Sequence, residues 1–158
     1  AGWCMAQGEE HGYHFGGDVY QRVELSENGL DCRIVPASDP VGEGTYNAAE
    51  FTPALIKDGE KIEDSFWTGE QPRACFGTGD QGVYMLIIEG RYPDEGIRGT
   101  SVNTCSDILL AYGCRNALNM DGGSSAILWY DGGYVTQSSS SFLRYTGGRP
   151  LPNAWVYG

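Results

Sequence analysis

Apolar and polar residues follow one another in short blocks that predict a chain built mostly of strands. Strand-like runs cover residues 18–25, 31–36, 73–78 and 83–89, and glycine, proline, asparagine or serine bounds each of them. The dipeptide Asn28-Gly29 lies between the first two runs and is typical of a tight hairpin turn. Residues 83–88 are continuously apolar, which predicts a strand that is covered on both faces.

One stretch, residues 100–112, has the spacing of a helix instead. Its apolar residues recur at intervals of three and four, at Val102, Cys105, Ile108, Leu109 and Tyr112. Ser101 is placed to cap the start of this helix, and Gly113 is placed to end it. With 158 residues, we expect a single domain spanning residues 1–158.

The stretch 116–130 carries the most distinctive pattern. An apolar run leads into Asp121, followed by Gly122-Gly123, Ser124-Ser125 and a second apolar run. This order predicts a strand, a tight turn and a second strand, because glycine adopts backbone angles that other residues resist. Glycines also let a ligand approach the main chain closely. Asp121 at the lip of the turn is either a structural cap or a functional acid.

The formal net charge of −11 restricts the kinds of partner that we expect the chain to bind. Nucleic acids and anionic membrane surfaces need clustered lysine and arginine, so neither is expected as a partner. A phosphate-bearing substrate would need arginines concentrated locally, and Arg73 and Arg91 are candidates. No segment is apolar enough to span a bilayer. High glycine content with four tryptophans and ten tyrosines favours a secreted or cell-envelope protein.

The cysteines and histidines offer weaker signals. None of the five cysteines is spaced as CxxC, and their odd number leaves one thiol free or joined to a partner chain or a second copy. A disulfide between Cys4 and Cys32 is the preferred pairing. His11 and His14 could bind a metal with neighbouring glutamates, but their glycine-rich surroundings favour a surface loop. We therefore expect no metal site and no cofactor.

Five motifs carry a resemblance to the phosphodiester glycosidase family. Residues 119–125 are similar to its N-[LM]-D-G-G-[GS]-S signature, 72–77 to its P-R-T-A-I-G strand, and Glu89-Gly90-Arg91 to its D-G-R. Gly99 and the helix after it resemble the family's G-M-[ST]-x-x-E-L-A segment. Gly148-Arg149-Pro150 and residues 153–156 resemble a closing R-P-V-x-N-A strand. The resemblance covers residues 53–158, whereas residues 1–45 match poorly, and Ala1-Gly2-Trp3 resembles the end of an N-terminal N-[GA]-G-[FY] motif, which indicates an incomplete N-terminal part.

The resemblance, with the elements above, implies an α+β fold with a mixed, mostly antiparallel sheet and one or two packed helices. It also implies hydrolysis of a sugar-1-phosphodiester of the N-acetylglucosamine-phosphate type, with a glycan or sugar phosphate as substrate. Asp121 and Glu89 would then be the catalytic acids. The substrate-binding residues would be Arg73, Arg91, Gly122, Gly123, Ser125 and Arg149.

One departure from the family pattern concerns the helix. The glutamate of the family segment falls on Thr104, which cannot act as a general base. Asp107 lies one turn further along and could partly substitute for it. Two hypotheses therefore stand side by side: an active phosphodiester hydrolase, and a catalytically degenerate domain of the same fold that binds glycans or serves as a structural component of an extracellular assembly.

Overall fold

The first third of the chain forms an antiparallel sheet of five strands. A computed structural model describes residues 2–140 and 148–158. Within them, the first sheet has the strand order β2-β1-β5-β3-β4. Its strands are β1 (Cys4–Ala6), β2 (Glu9–His11), β3 (Gln21–Leu25), β4 (Cys32–Pro36) and β5 (Asn47–Phe51). The predicted hairpin is confirmed: β3 pairs with β4, and Asn28 Oδ1 accepts hydrogen bonds from the Leu30 and Asp31 amides in the turn.

The second sheet carries the later strands in the order β7-β6-β10-β8-β9. They are β6 (Ala54–Lys57), β7 (Glu60–Lys61), β8 (Arg73–Gly79), β9 (Gly82–Ile88) and β10 (Cys114–Asn119), and a separate hairpin pairs β11 (Trp129–Tyr130) with β12 (Gly133–Tyr134). The two strands predicted at 73–78 and 83–89 are confirmed to within a residue or two. All of these strand pairs are antiparallel, and β10 returns between β6 and β8 after the helix.

The predicted helix is confirmed as α1 (Val102–Ala111), the single α-helix of the described residues. Ser101 caps it, since its Oγ accepts a hydrogen bond from the Thr104 amide. Of the apolar positions with helical spacing, Val102, Cys105 and Leu109 are buried, whereas Tyr112 follows the end of α1 and is exposed. The fold is therefore α+β with a strong predominance of strands, and no helix among the described residues is long and apolar enough to cross a membrane.

The second sheet lies between the helix and the first sheet. On one side its residues, among them Cys75 and Ala117, pack with the buried face of α1. On the other side, Phe76 and Leu118 pack with Val23 and other residues of the first sheet. Neighbouring residues of β8 and β10 thus enter different clusters, because successive side chains of a strand point to opposite faces. In β9 the same alternation places apolar side chains in both clusters, which explains why residues 83–88 are continuously apolar.

A buried network of charged residues organises the first sheet, and no sequence pattern signalled it. Arg22 is 0% exposed; its Nε donates to Glu24 Oε1 at 2.7 Å, and its Nη1 lies 3.5 Å from Glu50 Oε1. Arg33 Nε donates to the second oxygen of Glu24 at 2.6 Å. His14, interpreted from the sequence as a surface-loop residue, places Nδ1 2.6 Å from Glu50 Oε1. The network ties the glycine-rich N-terminal segment to the sheet.

The Glu24 carboxylate should make the fold sensitive to acid. Burial raises the pKa of this carboxyl, but hydrogen bonds from Arg22 and Arg33 outweigh burial and leave the pKa below its ordinary value. A lowered folded-state pKa contributes stability above the unfolded-state pKa, and this stability disappears as pH falls through the folded-state value. We expect the melting temperature of the wild type to fall steeply from about pH 5 downwards, and that of Glu24→Gln to fall less steeply.

Thermal unfolding followed by circular dichroism between neutral and acidic pH would measure both slopes. Glu27→Gln is the matched control, because Glu27 is exposed in the β3–β4 turn region, and it should keep the wild-type slope. Equal slopes in the wild type and Glu24→Gln would contradict the prediction.

The predicted Cys4–Cys32 disulfide is wrong. All five cysteines, each within the described residues, are free thiols. Cys4 is on β1 and Cys32 on β4, with β5 and β3 between them. Three strand spacings separate the two by about 14 Å, too far for a sulfur–sulfur bond. Cys75, Cys105 and Cys114 are core residues, and burial raises the pKa of Cys114 to about 11.

Four further segments differ from the sequence interpretation. The N-terminal loop contains the β1–β2 hairpin, and β5 was not predicted. Residues 153–156, expected as a closing strand, are not in a strand; Trp155 instead stacks on Phe76 with ring centroids 4.0 Å apart. Residues 126–128 are also not in a strand. The strand expected directly after the Asp121 turn therefore begins only at Trp129.

Candidate active site

A cleft of about 290 Å³ lies at the end of the second sheet where β8 begins and β10 ends. These two ends meet because the strands are antiparallel, with Asn119 opposite Cys75. All six substrate-binding residues expected from the sequence therefore come together from distant parts of the chain. The lining residues are Phe51, Trp67, Gln71, Pro72, Arg73, Arg91, Asn119, Met120, Asp121, Gly122, Gly123, Ser124, Ser125 and Arg149.

The pair Gly122-Gly123 lets the turn after β10 pack closely against the segment that leads into β8. A Cβ atom on Gly122 would lie 2.5 Å from the carbonyl oxygen of Pro72, which is backbone and cannot move aside easily. The Gly123 amide donates to that same oxygen at 3.0 Å, and Gly123 has a φ of +58°. The chain then makes a 3₁₀ turn over Gly123–Ser125. This close contact fixes the position of Asp121 and of the two serines.

Asp121, Arg149 and the two serines form one polar cluster in the cleft. Arg149 Nη2 donates to Ser125 Oγ at 2.6 Å and lies 3.5 Å from Asp121 Oδ2. Its Nε lies 3.4 Å from Ser124 Oγ. The Asp121 side chain is 61% exposed and the Arg149 side chain 49% exposed, so both can reach a ligand. Asp121 is thus an accessible carboxylate beside a cation, and its role as an acid stays a prediction.

Arg91 brings a second cation to the same place. Its backbone has a φ of +69°, and its Nε donates to Gln71 Oε1 at 2.9 Å. The guanidinium lies beside Gly123, 3.1 Å from the position that a Cβ atom there would occupy. A side chain at position 123 would therefore compete with Arg91 for space. The sequence prediction that Arg91 and Arg149 share a site agrees with this placement.

Arg73 also lines the cleft, but its donors are largely occupied. It is 4% exposed, and its Nε donates to the Thr100 carbonyl at 3.0 Å. Its Nη2 donates to the carbonyls of Gly69 at 2.8 Å and Trp67 at 3.3 Å. Burial lowers the pKa of Arg73, which stays charged because an arginine pKa starts far above neutrality. These contacts make Arg73 a support for the cleft wall; its expected contact with phosphate stays a prediction.

Glu89, the second expected acid, is not among the residues that line the cleft. Its Oε1 accepts a hydrogen bond from the Gln137 amide at 2.6 Å, which joins the end of β9 to the segment after β12. The chain reaches the cleft at Arg91. Gly90, the middle residue of the Glu-Gly-Arg motif, makes a close backbone contact with Pro72, so Glu89 and Arg91 lie on opposite sides of that contact. The proposed catalytic role of Glu89 stays a prediction that this placement does not favour.

The helix contributes no carboxylate to the lining of the cleft. Thr104 is exposed in the first turn of α1, and its Oγ1 lies 3.0 Å from the capping Ser101 Oγ. Asp107 is also exposed, and its Oδ1 accepts a hydrogen bond from Lys61 Nζ at 2.7 Å. Among the described residues that line the cleft, Asp121 is therefore the single carboxylate, beside three arginines. This local excess of positive charge contrasts with the net charge of −11 of the chain.

Several lining residues were missed by the sequence reasoning. Phe51, Trp67 and Gln71 lie in segments without a chemical motif, and only the fold brings them to the cleft. Asn119 is part of the signature, so its motif position could have indicated it. It is 1% exposed, and its Nδ2 donates to the Thr52 carbonyl at 2.7 Å. Within residues 2–140 and 148–158, no three histidine, cysteine or acidic side chains are grouped to hold a metal ion.

Comparison with known proteins identifies a matching family and a similar fold. The sequence profile of the phosphodiester glycosidase family matches residues 5–157. The catalytic domain of zebrafish N-acetylglucosamine-1-phosphodiester alpha-N-acetylglucosaminidase, solved in a form auto-inhibited by its pro-peptide, has a similar fold: TM-score 0.63, 16% identity, 88% of this chain covered. The chain spans about half of that solved chain, 51% of its length.

A second solved structure, a hypothetical protein from Synechocystis, is more distant, with a TM-score of 0.47 and 20% identity over 78% of this chain and 32% of that one. No curated protein sequence matches the chain. The family profile extends over nearly the whole sequence, a range that contains the Asp121 turn, the three cleft-lining arginines and the helix. The chain therefore belongs to the phosphodiester glycosidase family.

Proposed function

We propose that the chain hydrolyses a sugar-1-phosphodiester, with N-acetylglucosamine as the sugar. The observation that carries this proposal is the concentration of cationic side chains in the cleft of an otherwise acidic protein. A phosphodiester is anionic, and the planar guanidinium group forms paired, charge-assisted hydrogen bonds with its oxygens. Arg91 and Arg149 bind the phosphate, because both guanidinium groups are accessible beside the glycine turn.

Asp121 then works at the sugar end of the bond. Its carboxylate accepts a proton from the water whose oxygen bonds to the anomeric carbon, while the bond between that carbon and the phosphate oxygen breaks. The bonding electrons leave with the phosphate, and the products are the free sugar and a phosphate monoester. Ser124 and Ser125 hold Arg149 in place through their hydroxyl groups.

A single carboxylate is enough for this reaction. Most glycosidases need a second acid because an alcohol leaving group must be protonated as the bond breaks. A phosphate monoester leaves as a stable anion, and two arginines stabilise its charge. The absence of a helix glutamate at Thr104 and the position of Glu89 are therefore compatible with catalysis.

Asp121→Asn is expected to lower kcat/KM by about 10²–10⁴-fold, the usual contribution of a positioned general base. The substrate is methyl N-acetylglucosamine-1-phosphate, and the measured product is reducing N-acetylglucosamine. In ¹⁸O-labelled water the label should enter the sugar and not the phosphate. Asp107→Asn is the matched control; it removes an exposed carboxylate outside the cleft and should keep wild-type activity.

The alternative is a catalytically degenerate domain that binds glycans. The exposed Thr104 at the position of the family glutamate is the observation that favours it. A wild type that binds N-acetylglucosamine-1-phosphate without releasing sugar from the diester would support this alternative, most of all if Thr104→Glu gained activity. Wild-type turnover that Asp121→Asn abolishes would exclude it.

The extracellular setting belongs to this proposal as well. The acidic surface and the aromatic content support a secreted or cell-envelope location. The five free thiols add no support, because disulfides are the common mark of an oxidising compartment.

A further inference from the structure

Among the described residues of the cleft wall, Trp67 is the most accessible large apolar side chain. It lines the cleft with Asp121, Arg91 and Arg149, and it is 40% exposed. The neighbouring Phe66 is 88% exposed but does not line the cleft. An indole ring at a polar cleft supplies a broad, rigid contact surface that the catalytic and phosphate-binding groups do not provide.

The backbone of Trp67 is held by hydrogen bonds from three directions. Asp64 Oδ1 accepts from the Trp67 amide at 2.5 Å and from the Phe66 amide at 2.8 Å. The Trp67 carbonyl accepts from the Val102 amide at 3.2 Å, at the start of α1, and from Arg73 Nη2 at 3.3 Å. The indole is therefore presented from a fixed point, although its segment has no regular secondary structure.

Asn103 of α1 clamps the base of this segment. Its Oδ1 accepts from the Asp64 amide, and its Nδ2 donates to the Asp64 carbonyl, both at 2.9 Å. A segment bound in this way to the helix loses little conformational entropy when a ligand binds against it. This pre-organisation is a property of a binding surface; the Phe66 amide is also bound by Asp64, but Phe66 does not line the cleft.

The face of the indole towards the protein is already occupied. The guanidinium carbon of Arg73 lies 5.8 Å from the centroid of the Trp67 ring, and Arg73 is buried. The exposed part of the ring is left for a ligand in the cleft. A bare phosphate would gain nothing from an apolar ring, whereas the C–H face of a pyranose would bury apolar area against it.

We propose that Trp67 is the platform on which the sugar ring of the substrate packs, beside the phosphate held by Arg91 and Arg149. This inference rests on the proposed function and specifies the part of the substrate that each side of the cleft recognises. Trp67 is a specificity-determining residue in this assignment: it selects a pyranosyl phosphodiester over other phosphodiesters.

Calorimetric titration with two probes, N-acetylglucosamine-1-phosphate and inorganic phosphate, tests the assignment. Trp67→Ala should weaken binding of the sugar phosphate about tenfold or more and leave binding of inorganic phosphate within about twofold of the wild type. Trp67→Phe keeps an aromatic face and should lose about threefold or less. Phe66→Ala is the matched control and should bind both probes as the wild type does.

Three results would overturn the inference: equal affinity of Trp67→Ala and the wild type for the sugar phosphate, an equal loss for both probes, or a wild type that binds neither. An equal loss would mean that Trp67 acts through Arg73 and the cleft wall. A melting-temperature measurement on each variant confirms that it is folded. Failure of the proposed hydrolysis is a separate result, because the binding titrations do not depend on turnover.

Discussion

Replacing Arg22 with leucine is expected to lower the free energy of unfolding by about 3–5 kcal/mol, the cost of leaving a buried charge without its partner. Glu24 and Glu50 are both buried, and Arg22 contacts one oxygen of each. Its other donors reach the carbonyls of Ala37, Asp39 and Pro40. Leucine fills the space but satisfies none of these acceptors. Urea denaturation followed by circular dichroism would measure the loss.

Arg33→Leu is the matched control, because Arg33 contacts the same carboxylate from the surface. Its Nε lies 2.6 Å from Glu24 Oε2, and its side chain is 51% exposed. Water can replace a half-exposed partner, so we expect a loss of about 1 kcal/mol or less. Losses of similar size in the two variants would mean that Arg22 has no special role in the network.

Gly122→Ala is expected to lower kcat/KM for the phosphodiester at least about 100-fold while the protein stays folded, since a displacement of about 1 Å at a catalytic group has this cost. The new Cβ would lie 2.5 Å from the Pro72 carbonyl oxygen, so the turn must move away from β8. That movement breaks the bond from the Gly123 amide to the same oxygen and shifts Asp121 and Ser125. Steady-state kinetics and a thermal melt would measure the two effects.

Gly133→Ala is the control for the backbone change alone. Gly133 lies in the nearby β12 strand, and a Cβ atom there would meet no heavy atom within 4 Å. We expect this variant to keep its activity. Full activity of Gly122→Ala, or an equal loss in Gly133→Ala, would show that the contact with Pro72 does not position the site.

Local features of the sequence predicted the elements whose cause is local. The Asn28-Gly29 turn, the Ser101 cap and the helical spacing of 100–112 depend on residues a few positions apart, and all three are present in the structure. The prediction failed where a strand depends on its neighbours. Strand β5 lacks a clear alternation and forms because β1 and β3 lie on either side of it.

The motifs predicted which residues lie in the site, but they could not predict the role of each residue. Asp121, Arg91 and Arg149 come together in the cleft as predicted. The motif of Asp121 forms the turn after β10, the motif of Arg91 follows β9, and that of Arg149 follows β12. Arg73 and Glu89 have the right chemistry in the sequence, yet carbonyl groups surround the first, and the second binds the Gln137 amide. Burial and hydrogen-bond partners decide such roles, and they depend on residues far away in the chain.

The motifs of the sequence were therefore sufficient to recognise the family. Local sequence was also sufficient for the helix, the β3–β4 hairpin and the glycine turn that carries Asp121, because short-range sterics and periodicity specify these three elements. The strand order was decided at the tertiary level. Because β10 returns between β6 and β8, one cleft unites Trp67, Arg91, Asp121 and Arg149. Because β5 and β3 separate β1 from β4, Cys4 and Cys32 stay apart and Arg22 is enclosed with its two carboxylates. Pairings between distant segments leave no local signature, since their free energy comes from contacts that exist only in the assembled sheets.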